Sequence, residues 1–456
     1  MSTPPLAGGV AGRDALRPLL AVVLDALKEG ADRRGGPLPR GGPDAVGRRV
    51  RGTVRPVVPD HGSGAEEALR TLVGSFAAGA ADPADPRCAA HLHGPPLALA
   101  VAADLAASAL NPSLDSWDQA PAASELEAEV TRALAAEVYP GATAPDAIVT
   151  TGGTEANQIA LLLARERLGA VQVVCGSHTH HSVRRAAWLL GLREPVAVPA
   201  AEGTTDLAAL DEVLSARRGP ALVVATAGTT DTGRIDPLPG IADLCARHGA
   251  ELHVDAAYGG ALLFSARHRE LLHGLERAGS VTLDLHKLGW QPVAAGLLTV
   301  PDGALLAPLA CTADYLNPDD DTEAGFPDLL GRSLRTTRRP DVLKIAVTLR
   351  ALGRSGLAEL VERTMAAARE FADLVAKHPA LELHSEPVLS TVLFRPRGAS
   401  DDTVADLRRT LLHEGRAVLG RSRADGGLWL KATLLNPHTT PGDLAALIAL
   451  VEGNTT

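Results

Sequence analysis

The chain has 456 residues, 46% of them apolar, and its 54 acidic and 44 basic side chains give a formal net charge of −10. That length supports two or three domains with a large core, while the acidic balance argues against nucleic acid or an anionic membrane surface as a partner. No apolar run is long enough to span a membrane, the N-terminus lacks a signal-peptide pattern, and Cys88, Cys175, Cys245 and Cys311 have no paired spacing, so reduced thiols and a cytoplasmic location are expected.

In chain order, residues 1–85 are the least legible. Residues 15–27 are amphipathic enough for a helix, whereas 33–59 are rich in Arg, Gly and Pro and read as irregular. Their arginines lack interleaved aromatics and alternate with prolines, which suits a packed extended segment better than a nucleic-acid arm. From about residue 86 to 301, strand-like apolar runs alternate with helical stretches, the signature of a mostly parallel sheet covered by helices. A Gly-, Pro- and Asp-rich loop over 312–328 follows, then Thr336-Thr337-Arg338-Arg339-Pro340 before a helix predicted over 342–352. Adjacent arginines at a helix start are ordinarily exposed salt-bridge partners. From about residue 374, strands over 388–394 and 428–433 mix with helices in a smaller domain. The expected architecture is α/β: an N-terminal helical and extended segment (1–85), a large domain (86–365) with a mostly parallel central sheet, and a smaller C-terminal α+β domain (366–456).

Five short motifs inside the large domain carry chemistry. The first, Gly152-Gly153-Thr154-Glu155-Ala156-Asn157, opens a helical run; glycines there let backbone N–H groups approach a phosphate at a helix N-terminus, though an ordinary helix cap has the same look. The second, Ser177-His178-Thr179-His180-His181-Ser182, invites a zinc reading, but no Cys or His pair of structural-zinc spacing accompanies it, and an imidazole can instead stack on a flat ring. The third, Gly228-Thr229-Thr230, follows a strand-like run and reads as a turn or as a small-residue approach for a planar ligand. The fourth, His253-Val254-Asp255-Ala256-Ala257-Tyr258, puts Asp255 at the end of a buried strand, where ligand-binding side chains of open α/β sheets emerge. The fifth is Asp284-Leu285-His286-Lys287. Only five of the 44 basic residues are lysines, so the chain draws its surface cations from arginine. Arginine cannot lose its proton and attack a carbonyl; a desolvated lysine can, forming a Schiff base.

In order and approximate spacing these motifs resemble the group II pyridoxal-phosphate-dependent amino-acid decarboxylases, from about residue 86 to the C-terminus. The resemblance implies fold type I, the aspartate-aminotransferase-like fold, with pyridoxal 5'-phosphate as cofactor, no metal, and a homodimer whose subunits jointly form each active site. It further implies that Lys287 binds the cofactor aldehyde, Asp255 pairs with the pyridine nitrogen, and His180 stacks on the ring. Gly153, Thr154 and His286 would hold the phosphate, and Thr230 and Ala257 would line the ring. Tyr315, one of three tyrosines, matches the family's loop tyrosine that protonates the α-carbon; without the resemblance it reads as a loop anchor. The segment 1–85 would wrap around the neighbouring subunit.

The segments holding His91, Trp117 and Asp118 lie where the family shapes its substrate pocket. The second of them is most similar to the siderophore-type lysine and L-2,4-diaminobutyrate decarboxylases. Asp118 could meet a distal ammonium there, or simply cap a turn beside a core Trp117. A diamino acid is therefore the expected substrate, with aromatic or small apolar amino acids as rivals. An aminotransferase of the same fold would share Lys287 and Asp255, and Tyr315 argues against it; a metal-dependent hydrolase would use His178, His180 and Asp255.

Overall fold

The computed structural model describes residues 3–311 and 313–454, so Thr312, the first residue of the expected loop, lies outside the described residues. The chain divides into two compact units, Pro96–Arg363 and Met1–Pro95 with Thr364–Thr456.

The unit Pro96–Arg363 is built on a seven-stranded sheet. Its strands are β1 (Asp146–Thr150), β2 (Gln172–Gly176), β3 (Val196–Val198), β4 (Ala221–Thr226), β5 (Glu251–Ala256), β6 (Ser280–Asp284) and β7 (Gly296–Val300). The spatial order is β1-β7-β6-β5-β4-β2-β3. Strands β2 to β6 pair in parallel, and β7 runs antiparallel to both β6 and β1. This is the mostly parallel α/β sheet that the alternation of apolar runs and helices predicts. Strand β4 is buried along its whole length, as its unbroken apolar run requires of a strand covered on both faces.

Helix α1 (Gly153–Leu168) follows β1 directly. Its Ile159, Ala160 and Leu163 pack on Ile148, Leu298 and Val300, while Leu161 and Ala164 join Val173, Leu222 and Val224. Each fully buried aliphatic side chain contributes roughly 1.5–3 kcal/mol against the entropy of ordering it. With α1 anchored on both flanks, its first turn is fixed against the ends of β5 and β6. The pairings Gly296↔Thr150, Gly296↔Asp284, Asp255↔Thr226 and Asp255↔Thr282 bring the ends of β1, β4 and β6, the last turn of β5 and the start of β7 to one edge of the sheet.

The two adjacent arginines part company. Arg339 is exposed and bonds Asp104 at 2.9 Å, whereas Arg338 is buried and grips Glu127 of helix Pro121–Val138 through two bonds of 2.8 and 2.9 Å. The expectation of two exposed ion pairs fails at Arg338 because a buried carboxylate waits for it on a neighbouring helix.

The unit Met1–Pro95 with Thr364–Thr456 begins with helices Gly12–Arg34, Gly42–Val54 and Ala65–Gly79. The first and third lie so close that a Cβ on Gly30 would stand 2.5 Å from the Ala77 methyl. Helix Gly42–Val54 falls inside the stretch read as irregular. Its Pro43 sits in the first turn, where a missing N–H costs nothing, and its arginines are good helix formers. The sheet of this unit has the order Cys88–Ala89, Val418–Ala424, Gly427–Thr433, Thr391–Pro396, Leu381–Leu383, antiparallel except for its first pair. Phe371 and Phe394 meet edge to face at 5.2 Å in its core. The chain joins the units within the helical stretch Val342–Lys377, which breaks at Gly353 (φ 63), where the helix predicted over 342–352 ends.

Candidate active site

Strand β1 ends in Thr150 and turns through Gly152 into α1. Side chains at this turn would collide with its neighbours: a Cβ on Gly152 would lie 2.9 Å from His286 Cε1, and one on Gly153 would lie 3.0 Å from the Ala257 methyl. The Ala156 N–H donates to Gly152 O, so the N–H groups ahead of it in the first turn of α1 have no partner within the helix. Thr154 is exposed there, and Glu155 accepts from Thr151 N at 2.5 Å and pairs with Arg335 at 3.2 Å. These contacts hold the turn at the edge where β5 and β6 end.

The Lys287 ammonium stands 3.0 Å from Asp284 Oδ2, and His286 Nε2 stands 3.4 Å from the same oxygen. Asp284 is buried, and its Oδ1 has no hydrogen-bond partner among the described residues. The chain then doubles back: Trp290 N donates to Lys287 O, Gln291 N donates to Leu285 O, and Leu285 N donates to Ala295 O at the head of β7. Lys287 is thus carried on a loop tied to the sheet at both ends.

Asp255, near the end of β5, is almost completely buried. Its Oδ1 accepts from Ala257 N at 3.1 Å and its Oδ2 from Asn157 Nδ2 at 2.7 Å. Asn157 also reaches Ser182 Oγ at 2.9 Å, and Ser182 Oγ lies 2.8 Å from His180 Nδ1. On its other side Asn157 Oδ1 meets His253 Nε2 at 3.0 Å and Thr282 Oγ1 at 2.9 Å. His180 caps helix α2 (His181–Leu189), its Nδ1 accepting from Ser182 N, and its ring lies 4.1 Å from that of His181. Burial lowers the His180 pKa, opposed by the nearby Asp255 carboxylate. Burial likewise pushes His253 down to about 4.

The structure therefore brings Gly153, His180, Asp255, Ala257, His286 and Lys287 to one edge of the sheet. Thr230 is half-buried on the turn after β4, which is fastened to the end of β5 by Ala227 N donating to Asp255 O. His178 faces Asp236, 3.0 Å from its Oδ1, and so turns from the cluster. Tyr315 is 81% exposed, on a turn closed by Leu316 N and Asn317 N on Ala313 O. Among the described residues no hydrogen bond or ring contact joins it to Lys287. Trp117 packs edge to face on Phe326 at 5.3 Å, farther along the loop that carries Tyr315. Asp118 is exposed and accepts from Ser116 Oγ at 2.5 Å, whereas Asp115, three residues earlier, is 7% exposed with Oδ1 unpartnered. His91 is exposed in the other unit.

Sequence reasoning did not single out Asn157, Ser182, His253, Thr282 or Asp284, yet a signal was there. Ser280, Thr282 and Asp284 alternate along β6, and His253 and Asp255 alternate along β5. Polar side chains at every second position of two otherwise apolar strands share one face, the face that α1 covers.

Residues 65–397 match the family described as Pyridoxal-dependent decarboxylase conserved domain. The chain is 44% identical to an L-2,4-diaminobutyrate decarboxylase of Rhizobium meliloti (strain 1021) over 373 residues, which cover 78% of this chain and 75% of that protein. It is 32% identical to an L-2,4-diaminobutyrate decarboxylase of Acinetobacter baumannii over 428 residues, covering 86% and 84%. Its fold matches the crystal structure of the glutamate decarboxylase domain of diaminobutyrate-pyruvate transaminase and L-2,4-diaminobutyrate decarboxylase from Vibrio parahaemolyticus. There the TM-score is 0.87 and the identity 31%, over 99% of this chain and 97% of that one.

Proposed function

This chain belongs to the pyridoxal-dependent decarboxylase family, and we propose from that premise that its substrate is a short L-diamino acid such as 2,4-diaminobutyrate. The reaction is pyridoxal-phosphate-dependent removal of the α-carboxyl group, releasing carbon dioxide and the amine. The observation that carries the substrate reading is the 44% identity to a diaminobutyrate decarboxylase along three quarters of its length. Asp115 supports it: it is buried, its Oδ1 has no hydrogen-bond partner among the described residues, and a distal ammonium would supply one. Asp118 already holds the Ser116 hydroxyl, so Asp115 is the stronger candidate in this segment.

The site fits the cofactor. Gly152 and Gly153 leave the turn before α1 bare of side chains, the buried Asp284 Oδ1 lacks a partner, and a lysine and a fixed carboxylate share the same edge. Pyridoxal phosphate supplies an aldehyde for an amine and a protonated pyridine that takes up the electrons freed with carbon dioxide. In the proposed assignment Lys287 would hold the cofactor through its amine, and Asp284, 3.0 Å from that amine, keeps the lysine side chain in place. Asp255 would hold the proton on the pyridine nitrogen, and the His180 ring would cover the cofactor ring. Gly153, Thr154 and His286 would hold the phosphate, and Thr230 and Ala257 would line the ring. Tyr315 delivers a proton to the α-carbon, and its free, exposed side chain on a loop suits that task. The chain acts as a cytoplasmic homodimer in this reading. Among the described residues no helix is long and apolar enough to cross a membrane.

The test is carbon dioxide release by the cofactor-loaded protein across 2,4-diaminobutyrate, ornithine, lysine, glutamate, aspartate, tyrosine and tryptophan, with amines identified by mass. Preference for a diamino acid is expected. Faster turnover of an acidic or aromatic substrate would overturn the substrate reading.

A further inference from the structure

Asp255, Ser182, His253 and Thr282 converge on the Asn157 amide, and His180 joins them through Ser182. A carboxylate only accepts hydrogen bonds, so the Asn157 atom 2.7 Å from Asp255 Oδ2 is the nitrogen. The amide oxygen then faces His253 and Thr282, and because it too only accepts, His253 Nε2 and the Thr282 hydroxyl donate to it at 3.0 and 2.9 Å. His253 Nδ1 is left to accept from the Ser280 hydroxyl at 2.8 Å. On the other branch Ser182 Oγ receives the second amide hydrogen and passes its own to His180 Nδ1, which already accepts from Ser182 N. Every hydrogen in this chain has one direction, running from His253 through Asn157 to both Asp255 and His180. Asn157, Ser182, His253 and Thr282 are wholly buried, so water offers none of them an alternative.

We propose that Asn157 is a positioning residue that sets the Asp255 carboxylate and the His180 ring as one unit, holding one for the pyridine nitrogen and the other, as its Nε2–H tautomer, over the ring. This rests on the roles proposed above for Asp255 and His180. The amide links the two residues assigned above to the cofactor ring, and His253 and Thr282 prevent it from flipping. A flipped amide would set its oxygen against Asp255 and its NH2 against two donors.

The experiment loads wild type, Asn157→Leu and Asp255→Asn with pyridoxal phosphate labelled with nitrogen-15 in the ring and reads its NMR shift, which reports ring protonation. Turnover and thermal midpoint are measured on the same samples. Asn157→Leu is expected to keep the cofactor on Lys287 but move the ring signal toward the unprotonated position. Its kcat should fall about ten- to hundredfold, the loss expected on removing a hydrogen bond to a charged group, with KM changed less than about threefold. A wild-type ring signal in Asn157→Leu, beside a shifted one in Asp255→Asn, overturns the role of Asn157 alone. An unmoved signal in Asp255→Asn removes the role of Asp255 and this inference with it. Should Asn157→Leu not fold, Thr282→Val and Thr282→Ser decide: a kcat loss of about threefold in the valine variant that serine restores supports the inference, and equal rates in both overturn it.

Discussion

Lys287 Nζ and Asp284 Oδ2, 3.0 Å apart and three residues apart in sequence, form the ion pair at the centre of the site. Asp284 is buried, so the lysine is held on the sheet rather than in solvent. Lys287→Arg keeps the cation and the pair but removes the capacity to lose a proton at neutral pH. It should abolish carbon dioxide release and covalent retention of the cofactor as completely as Lys287→Ala does. Turnover at the original rate in either variant, measured as carbon dioxide release with the visible absorbance of the bound cofactor, refutes the assignment.

Asp115 provides the substrate test. Asp115→Asn should lower kcat/KM for 2,4-diaminobutyrate by roughly ten- to hundredfold, the worth of a charge-assisted hydrogen bond, and spare residual turnover of 2-aminobutyrate, which lacks the distal ammonium. Competition assays with both substrates measure the ratio. A ratio equal to that of wild type would place the ammonium elsewhere.

Tyr315→Phe removes a hydroxyl that no described residue engages, so folding and cofactor absorbance should match wild type. Amine yield should fall roughly hundredfold, within the range of a lost general acid, with carbonyl products rising in its place. Mass analysis of the products checks both halves of the expectation; unchanged amine yield removes Tyr315 from the reaction.

His253 gives stability a pH signature. Burial lowers its pKa to about 4 from 6.5. Between those values the unfolded chain binds a proton that the folded chain refuses, so stability falls as pH drops from about 6.5 toward 4 and levels off below. The contribution is on the order of 3 kcal/mol. His253→Gln, which can still donate to Asn157, should flatten that part of the profile. Thermal midpoints of both proteins between pH 4 and 7 test it, and parallel profiles would deny His253 the effect.

The Arg338–Glu127 pair predicts a large asymmetry. Glu127→Gln strands a buried guanidinium and should cost about 3–5 kcal/mol in urea unfolding. The double variant Glu127→Leu, Arg338→Met removes both charges and should recover most of that loss. A single variant within about 1 kcal/mol of wild type would mean the pair behaves as an exposed one.

The sequence reveals the sheet and the motifs more readily than the connections between them. Strand β4 is visible as an unbroken apolar run, and Lys287 stands out because the chain has so few lysines. Asn157 lies inside the Gly152–Asn157 motif, yet its work depends on β5 and β6 presenting His253 and Thr282 about a hundred residues later, which spacing along the chain does not display. Arg338 and Arg339 look alike in sequence, and the carboxylate on a neighbouring helix distinguishes them. Helix Gly42–Val54 is hidden by a composition of Arg, Gly and Pro that ordinarily marks irregular chain. Its proline is harmless only because of where the first turn falls.

Strand β7 runs against its neighbours, so residues 285–295 form the loop of a hairpin whose two legs, β6 and β7, are paired along their length. Gly296 is clamped between Thr150 and Asp284, and a Cβ there would stand 2.4 Å from Gly152 Cα. Pairing on both sides and burial of both faces hold the register of β7, so a residue added to that loop leaves the strand where it is and instead displaces Lys287 from Asp284. Extra residues are better accommodated in the exposed stretch around Tyr315, away from that lysine.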